Sequence, residues 1–171
     1  MKSIYLTGFM GAGKTTVGEK LGKALQLEVY DTDQVIEKKT GISIKELFST
    51  KGESYFRTLE EQTLQEMPIE NAIITTGGGI VLSERNRNWM KGNGIRVFLF
   101  AEMDIVWERL KNDQTRPIIQ QKKKEEVANI FQQRLPLYNQ AEITVDTTYL
   151  SLEAAVEAVY HAVKTYEKRQ H

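Results

Sequence analysis

The sequence predicts an α/β fold in which a parallel β-sheet carries helices on both faces. Two observations lead to this prediction. Short apolar or β-branched runs alternate along the chain with longer segments of helical periodicity. A glycine-rich loop also follows the first run directly and opens the first helical segment, as a phosphate-binding loop does. Because ligands of such sheets bind at the carboxyl ends of the strands, functional residues are expected there.

Each predicted element rests on its own local pattern. The apolar or β-branched runs predict strands over residues 4–7, 28–30, 72–75, 96–100 and 142–145. Helical periodicity predicts helices over residues 14–25, 34–39, 44–48, 55–67, 84–91, 105–110, 125–138 and 152–166. Ser43 followed by Glu46 forms a capping-box pattern, and Ser83 and Ser151 stand where N-caps are expected.

Length and composition narrow the possible functions. The 171 residues have the length of one domain, and we expect a single domain over 1–171. Basic and acidic residues balance at 23 each, so no overall field attracts nucleic acid or an anionic membrane, and neither is an expected partner. The absence of cysteine excludes disulfides and fits a reducing compartment. With no signal peptide or apolar span in the sequence, we expect a cytoplasmic protein, and no pattern requires a dimer, so we expect a monomer.

The loop from Gly8 to Thr15 has the full pattern of a phosphate-binding loop: Gly8, four residues, then Gly13-Lys14-Thr15. Its glycines let successive backbone N–H groups point at anionic oxygens, and the following helix adds its N-terminal dipole. Lys14 can reach the terminal phosphates and the Thr15 hydroxyl can bind Mg²⁺. The alternative is a glycine-rich turn that binds nothing, and the strand-to-helix setting argues against it. The loop therefore predicts a nucleoside triphosphate as ligand.

Two further groups of residues follow predicted strands. Asp31 and Asp33 come after the second strand, where one carboxylate can hold Mg²⁺ through water and the other can accept a hydrogen bond from a substrate hydroxyl. The alternative for Asp33 is to cap the next helix. The glycines at 77–79 follow the third strand and would let a ligand approach backbone N–H groups. Their alternative is an ordinary flexible turn.

Three arginines are candidates for binding anions. Arg57 opens a helix and offers a planar fork to a carboxylate or phosphate, although such a residue is often only solvated. Arg116 precedes Pro117 in a polar stretch, residues 111–124, which we expect to act as a lid over the active site. Arg134 lies near the end of its helix, where it could instead stabilise the helix dipole.

The motifs outside the loop distinguish between the classes of protein that contain a phosphate-binding loop. A GTPase needs an Asn-Lys-x-Asp segment, which is missing, and a motor ATPase needs a longer chain. The chain has the size of a small-metabolite kinase. Its motifs occur in the order Gly8-Phe-Met-Gly-Ala-Gly-Lys-Thr15, Asp31-Thr-Asp33, Gly52-Glu-x-x-Phe56-Arg57-x-x-Glu60, Gly77-Gly-Gly79, Arg116-Pro117 and Arg134-x-x-x-Tyr138. Together they resemble shikimate kinase, the ATP-dependent enzyme of aromatic amino-acid biosynthesis. Gln140 stands where that family often has Glu, which affects no assigned role.

The resemblance runs from the first strand to the fifth and implies a fold and a reaction. The fold is a three-layer P-loop kinase fold with a five-stranded parallel sheet in the order 2-3-1-4-5. It includes a substrate-binding helical region at about 33–60 and a short lid at about 111–124. The reaction is phosphorylation of the 3-hydroxyl of shikimate by ATP, giving shikimate 3-phosphate and ADP, with Mg²⁺ as cofactor.

The resemblance also implies residue roles. Lys14, Asp33 and Arg116 would be catalytic, with Asp33 orienting or deprotonating the 3-hydroxyl and Arg116 neutralising the transferring phosphoryl group. Shikimate would be bound by Asp33, Arg57, Gly78, Gly79 and Arg134, the two arginines holding its carboxylate. ATP would be bound by Gly11, Ala12, Gly13, Lys14, Thr15, Thr16, Arg109 and Arg116. Thr15, and Asp31 through water, would hold the metal.

Two alternatives stay open at this point. Another small-metabolite kinase, such as a gluconate or nucleotide kinase, would share the loop and the sheet but is not expected to combine Phe56-Arg57 with the three glycines. A non-catalytic module that binds ATP to change conformation would need no second site for an anion and hydroxyls. Measuring ATP turnover with a panel of substrates separates these alternatives from the shikimate assignment.

Overall fold

The computed structural model describes residues 1–111 and 122–170. Within them the strands β1–β5 span Ser3–Thr7, Glu28–Asp31, Ala72–Thr75, Gly94–Phe100 and Ile143–Asp146. The helices α1–α8 span Lys14–Leu25, Thr32–Thr40, Ile44–Lys51, Glu53–Glu66, Glu84–Asn93, Met103–Leu110, Lys124–Tyr138 and Leu152–Gln170. A 3₁₀ turn at Ile80–Leu82 was not predicted, because three residues are too few to show a period.

The five strands form one parallel sheet in the order β2-β3-β1-β4-β5, which confirms the predicted order. β1 lies at its centre and is buried along its whole length, whereas β2 lies at one edge and is partly exposed. In the register, Asp31 of β2 faces Thr75 of β3, and Leu6 of β1 also pairs with Thr75. The segments that follow β1, β2 and β3 therefore leave the sheet side by side.

Helices cover both faces of the sheet. On one face α1 and α8 pack against it through residues such as Val17, Leu21 and Val159. On the other face α4, α5 and α7 contribute Leu64, Met90 and Phe131, among others. This arrangement confirms the predicted three layers. None of the helices in the part of the chain that the structure describes is long and apolar enough to cross a membrane.

Helix α1 packs unusually close to the sheet because it carries glycines where it meets the strands. A Cβ atom added at Gly18 would lie 2.4 Å from Cγ2 of Thr75, and one at Gly22 would lie 2.3 Å from Cγ2 of Val29. Such distances are well inside van der Waals contact, so these positions require glycine. Since α1 begins at Lys14, this packing also fixes the position of the phosphate-binding loop.

Side-chain caps define where several helices begin. Ser43, Ser83 and Ser151 accept hydrogen bonds from the backbone N–H groups of Glu46, Asn86 and Ala154, at 3.1, 3.3 and 3.1 Å. The three predicted caps are thereby confirmed. A small apolar cluster of Ile36, Leu47 and Phe56 joins α2, α3 and α4, the helices that make up the predicted substrate-binding region.

Candidate active site

The phosphate-binding loop is held open by glycines in conformations that other residues rarely adopt. Gly8, Gly11 and Gly13 have φ values of 153°, 76° and 90°. The ammonium group of Lys14 donates hydrogen bonds to the carbonyl oxygens of Gly8 and Phe9, at 2.6 and 2.9 Å. Lys14 is only 9% exposed, so its charge is held against the loop in a poorly solvated position. A cation next to a loop of open backbone N–H groups is suited to bind a polyphosphate.

A cavity of about 380 Å³ opens beside this loop, and we call it the loop cavity. The loop and the start of α1 form one wall, and the opposite wall comes from α6 and the segment before α8. Its lining residues include Gly11, Ala12, Gly13, Lys14, Thr15, Thr16, Arg109, Leu110, Thr147, Leu150 and Leu152. Arg109 donates a hydrogen bond to the Gly11 carbonyl at 2.8 Å, so its guanidinium lies directly against the loop. One end of the cavity thus offers backbone donors and cations, and the other is apolar.

A second cavity of about 370 Å³ lies at the carboxyl ends of β2 and β3, and we call it the strand-end cavity. It is lined by Asp33, Arg57, Gly78, Gly79 and Arg134, residues far apart in the sequence but predicted to act together. Lys14 and Thr15 line both cavities. The two cavities therefore meet at the residues that a phosphate-binding loop presents to a terminal phosphate.

Asp31 ends β2 and is fixed by three hydrogen bonds. Its Oδ1 accepts from the backbone N–H of Gln34 at 3.1 Å, and its Oδ2 accepts from the hydroxyls of Thr75 at 2.7 Å and Thr15 at 3.3 Å. Asp31 is therefore the N-cap of α2. The alternative role considered for Asp33, that of the helix cap, is wrong, and Asp33 instead lines the strand-end cavity from the first turn of α2.

Arg57 and Arg134 bring two guanidinium groups to the strand-end cavity. Arg57 bonds Oε1 of Glu60 at 2.9 Å and Oε1 of Glu53 at 3.2 Å, so it is held by acids on its own helix. Arg134 is only 5% exposed, and its Nη1 has no hydrogen-bond partner within the residues described here. A buried, incompletely bonded guanidinium facing a cavity is suited to bind an anion, and it does not fit the alternative of a helix-end partner in solvent.

The comparisons with known proteins agree with this geometry. A family model for shikimate kinase matches residues 10–164. The shikimate kinase of Bacillus anthracis is 48% identical over 153 residues, which cover 90% of this chain and 93% of that protein. The chain belongs to the shikimate kinase family. Among solved structures of the family, the shikimate kinase from Acinetobacter baumannii, in complex with shikimate, matches with a TM-score of 0.93 and 34% identity, covering 97% of this chain and 94% of that one.

A second solved member of the family, from Aquifex aeolicus, matches with a TM-score of 0.85 and 36% identity, over 96% of this chain and 98% of that one. Family membership confirms the predicted assignment of the chain as a shikimate kinase, an ATP-using enzyme. The sequence had left two other assignments open, a kinase for another metabolite and a non-catalytic ATP module. Membership of this family excludes both.

Arg116 is the one predicted site residue that lies outside the described residues, in the segment 112–121. Every other predicted site residue lines one of the two cavities. Arg109, which the resemblance assigns to ATP binding, lines the loop cavity next to Leu110. The specific roles of all these residues remain predictions.

Glu60 is a residue of this shikimate kinase site to which the sequence analysis gave no role. It is 1% exposed, lines the strand-end cavity and lies near Asp33 and Arg134 as well as Arg57. Burial raises the pKa of Glu60 to about 7, a rise that Arg57 opposes and Asp33 reinforces. Its position three residues after Arg57 indicated an ion pair on one helix face. Its burial depends on contacts with the glycine turn, which no local pattern reveals.

The oxygen atoms next to the loop fit a magnesium ion. The Thr15 hydroxyl and the Asp31 carboxylate supply hard oxygen donors 3.3 Å apart at the junction of the two cavities. Over residues 1–111 and 122–170, no group of three or more His, Cys, Asp or Glu side chains could hold a metal by itself. This agrees with Mg²⁺, which commonly uses one or two protein ligands, several waters and phosphate oxygens.

Proposed function

We propose that this chain transfers the γ-phosphoryl group of ATP to the 3-hydroxyl of shikimate, giving shikimate 3-phosphate and ADP. One observation carries the proposal: Lys14 and Thr15 line both the loop cavity and the strand-end cavity. A nucleotide in the first cavity and a small hydroxy acid in the second would meet at those two residues. Direct transfer between two bound substrates requires such a junction.

In the proposed complex ATP occupies the loop cavity. The backbone N–H groups of Gly11, Ala12 and Gly13 face its phosphates, Lys14 contacts the β- and γ-phosphates, and the hydroxyl groups of Thr15 and Thr16 lie at the start of α1. Arg109 is placed to pack against the adenine from the far side of the same cavity. The positive end of the α1 dipole adds to the attraction for the phosphates.

Shikimate occupies the strand-end cavity with its two ends held by groups of opposite charge. Arg57 and Arg134 bind the carboxylate, with the backbone of Gly78 and Gly79 beside it. Asp33 accepts hydrogen bonds from the ring hydroxyls. Fixing both ends leaves a small ring little freedom to rotate, so the 3-hydroxyl is held in line with the γ-phosphorus.

The reaction then needs little covalent chemistry from the protein. A new bond forms between the 3-hydroxyl oxygen and the γ-phosphorus, the bond from that phosphorus to the β–γ bridging oxygen breaks, and ADP leaves with the electron pair. Asp33 orients the 3-hydroxyl and accepts its proton. Lys14 stabilises the charge on the oxygens in transfer, and Arg116 adds a second cation from the lid. Closure of the lid would keep water away from the phosphoryl group.

Mg²⁺ would be held by the Thr15 hydroxyl and, through water, by Asp31. When bound there it neutralises charge on the β- and γ-phosphate oxygens. We propose further that residues 1–171 act as one catalytic domain and as a monomer in the cytoplasm, without nucleic-acid or membrane partners.

The test is ADP release by the purified protein with ATP and Mg²⁺ against a panel of acceptors that includes shikimate, gluconate and nucleoside monophosphates. Of these acceptors, we expect only shikimate to be turned over. Product analysis should find the phosphate on the 3-hydroxyl. Lys14→Ala is the control, because a folded protein without this ammonium should lose turnover. Preference for gluconate or a nucleotide would contradict the proposal, and so would ATP binding without turnover of any acceptor.

A further inference from the structure

Tyr138 ends α7 and is one of the largest fully buried side chains. Its ring stacks on that of Phe98 in β4, with centroids 5.0 Å apart and an interplanar angle of 15°. Tyr138 is not among the residues that line the strand-end cavity. Any influence of this side chain on a ligand must therefore act through the residues that it contacts.

The hydroxyl of Tyr138 donates a hydrogen bond to the carbonyl oxygen of Gly78, at 2.5 Å. Burial raises the pKa of Tyr138 to about 12, against the opposing effect of the nearby Arg134, so this hydroxyl stays protonated and remains a donor throughout the neutral range. Gly78 lies between two other glycines, and a peptide flanked by glycines rotates at little steric cost. The hydrogen bond from Tyr138 therefore restrains a peptide that the local chain leaves adjustable.

Because the Gly78 carbonyl is restrained, the direction of the next backbone donor, the N–H of Gly79, is also set. The peptide unit is planar and trans, so the N–H of Gly79 points opposite to the carbonyl of Gly78. Gly78 and Gly79 line the strand-end cavity, whereas the tyrosine that bonds the carbonyl does not. The hydrogen bond from Tyr138 therefore fixes the direction of the Gly78 carbonyl and, with it, the direction of the Gly79 N–H at the edge of the cavity.

Arg134 lies close to the same hydroxyl. The two residues are one helical turn apart on α7, and the charge of the Arg134 guanidinium opposes the rise in the pKa of Tyr138 that burial causes. A Cβ atom added at Gly78 would lie 3.6 Å from Nη1 of Arg134, so the guanidinium packs directly on the glycine turn. The Tyr138 hydroxyl and the Arg134 guanidinium therefore both meet the glycine turn that is proposed to face the substrate carboxylate.

We propose that Tyr138 is a positioning residue for the carboxylate end of the substrate, which it serves by fixing, through its hydroxyl, the Gly78–Gly79 peptide on which Arg134 packs. The inference rests on the proposed function, since it concerns the shikimate half of that site. Tyr138 touches neither substrate, and the loop cavity is formed by other segments. Its hydroxyl should therefore affect shikimate binding and leave ATP binding unchanged.

The decisive variant is Tyr138→Phe, which keeps the ring on Phe98 and removes only the hydroxyl. The matched control is Tyr5→Phe, since Tyr5 in β1 is also a fully buried tyrosine but lines neither cavity. We expect Tyr138→Phe to raise the KM for shikimate about tenfold, the usual effect of one buried hydrogen bond. The change in kcat should be smaller, the KM for ATP should not change, and Tyr5→Phe should keep wild-type kinetic constants.

Two further measurements separate positioning from general loosening of the fold. A shikimate analogue without the carboxylate should bind wild type and Tyr138→Phe equally well. In an Arg134→Ala background, Tyr138→Phe should raise the KM for shikimate much less than in wild type, because the two residues act as a unit. An equal loss for the analogue, a parallel rise in the KM for ATP, or additive effects of the two substitutions would overturn the inference. Failure of the proposed function would differ from all of these, because wild type itself would not turn over shikimate.

Discussion

Glu60 lies one helical turn after Arg57, and its Oε1 accepts a hydrogen bond from the Arg57 guanidinium at 2.9 Å. The two side chains differ in solvent exposure, because Glu60 is almost fully buried while Arg57 is partly exposed. The other carboxylate oxygen of Glu60, Oε2, has no hydrogen-bond partner within residues 1–111 and 122–170. This carboxylate therefore lies among three charged groups of the strand-end cavity, Arg57, Arg134 and Asp33, without being fully satisfied by any of them.

The first prediction concerns the pH dependence of stability. The pKa of Glu60 is raised from 4.5 to about 7, so the folded protein binds this proton more tightly than the unfolded chain. The resulting stabilisation is complete below the unfolded pKa and is lost as the pH rises through about 7. Its size is about 1.4 kcal/mol for each pH unit that separates the folded and unfolded pKa values. Relative to Glu60→Gln, wild type should therefore lose stability between about pH 4.5 and about pH 7.

Urea unfolding of both proteins across this range measures the difference. Glu53→Gln is the matched control, because it removes an exposed carboxylate that also bonds Arg57. This variant shows what loss of an acid beside Arg57 does to stability while the buried carboxylate is kept. A constant difference between wild type and Glu60→Gln at every pH would mean that Glu60 does not titrate in this range.

The second prediction uses the contact between Gly79 and Arg57. A Cβ atom added at Gly79 would lie 2.4 Å from both terminal nitrogens of Arg57, while the backbone angles of Gly79, φ −90° and ψ 2°, are open to alanine. In Gly79→Ala the guanidinium must therefore move, and the fold should survive. We expect the KM for shikimate to rise roughly tenfold to a hundredfold, as for loss of a charge-assisted hydrogen bond, and the KM for ATP to stay constant.

Gly92→Ala is the control for that substitution. A Cβ atom at Gly92, in α5, would meet nothing within 4 Å. It should leave both KM values unchanged and stabilise the helix by about 0.5–1 kcal/mol. If Gly79→Ala bound shikimate as wild type does, the position of Arg57 would not matter for the substrate carboxylate.

The third prediction separates the two ends of the substrate. Asp33→Asn keeps the shape of the side chain but cannot accept a proton, so we expect a severe loss of kcat. Arg134→Ala removes a buried fork and should act through shikimate affinity, costing roughly 2–4 kcal/mol. Steady-state kinetics with both substrates distinguishes the two effects, and the KM for ATP should change little in either variant.

A shikimate analogue without its carboxylate provides the control for Arg134. It should bind wild type poorly and be almost insensitive to Arg134→Ala. An analogue that loses as much as shikimate does would show that Arg134 does not hold the carboxylate, and the orientation of the substrate would then have to be reversed or redrawn.

The fourth prediction concerns Arg116, which lies outside the described residues. An arginine acting on charge that develops during phosphoryl transfer can contribute about 10³-fold or more to kcat. Arg116→Ala should therefore lower kcat strongly and change the KM for shikimate little, and single-turnover measurements should show that the chemical step itself is slowed. An increase in KM alone would identify Arg116 as a ground-state contact.

The sequence by itself determined the fold class, the sheet order through the family resemblance, and the candidate site residues other than Glu60. Those properties are carried by local patterns: the loop from Gly8 to Thr15, the acids after β2 and the glycines after β3 can each be recognised within a few residues. Parallel strands place such segments at one edge of the sheet, so their proximity follows from topology alone.

Only the tertiary structure decided which of two neighbouring acids caps α2, how deeply Glu60 is buried, and which carbonyl the Tyr138 hydroxyl reaches. The sequence offered Asp33 as the cap, whereas the bond from the Gln34 N–H goes to Asp31, which Thr15 and Thr75 also hold in place. The bond from Tyr138 to Gly78 joins residues 60 positions apart. Burial, desolvation and such long-range bonds depend on how separate elements pack together, which no local pattern of residues encodes.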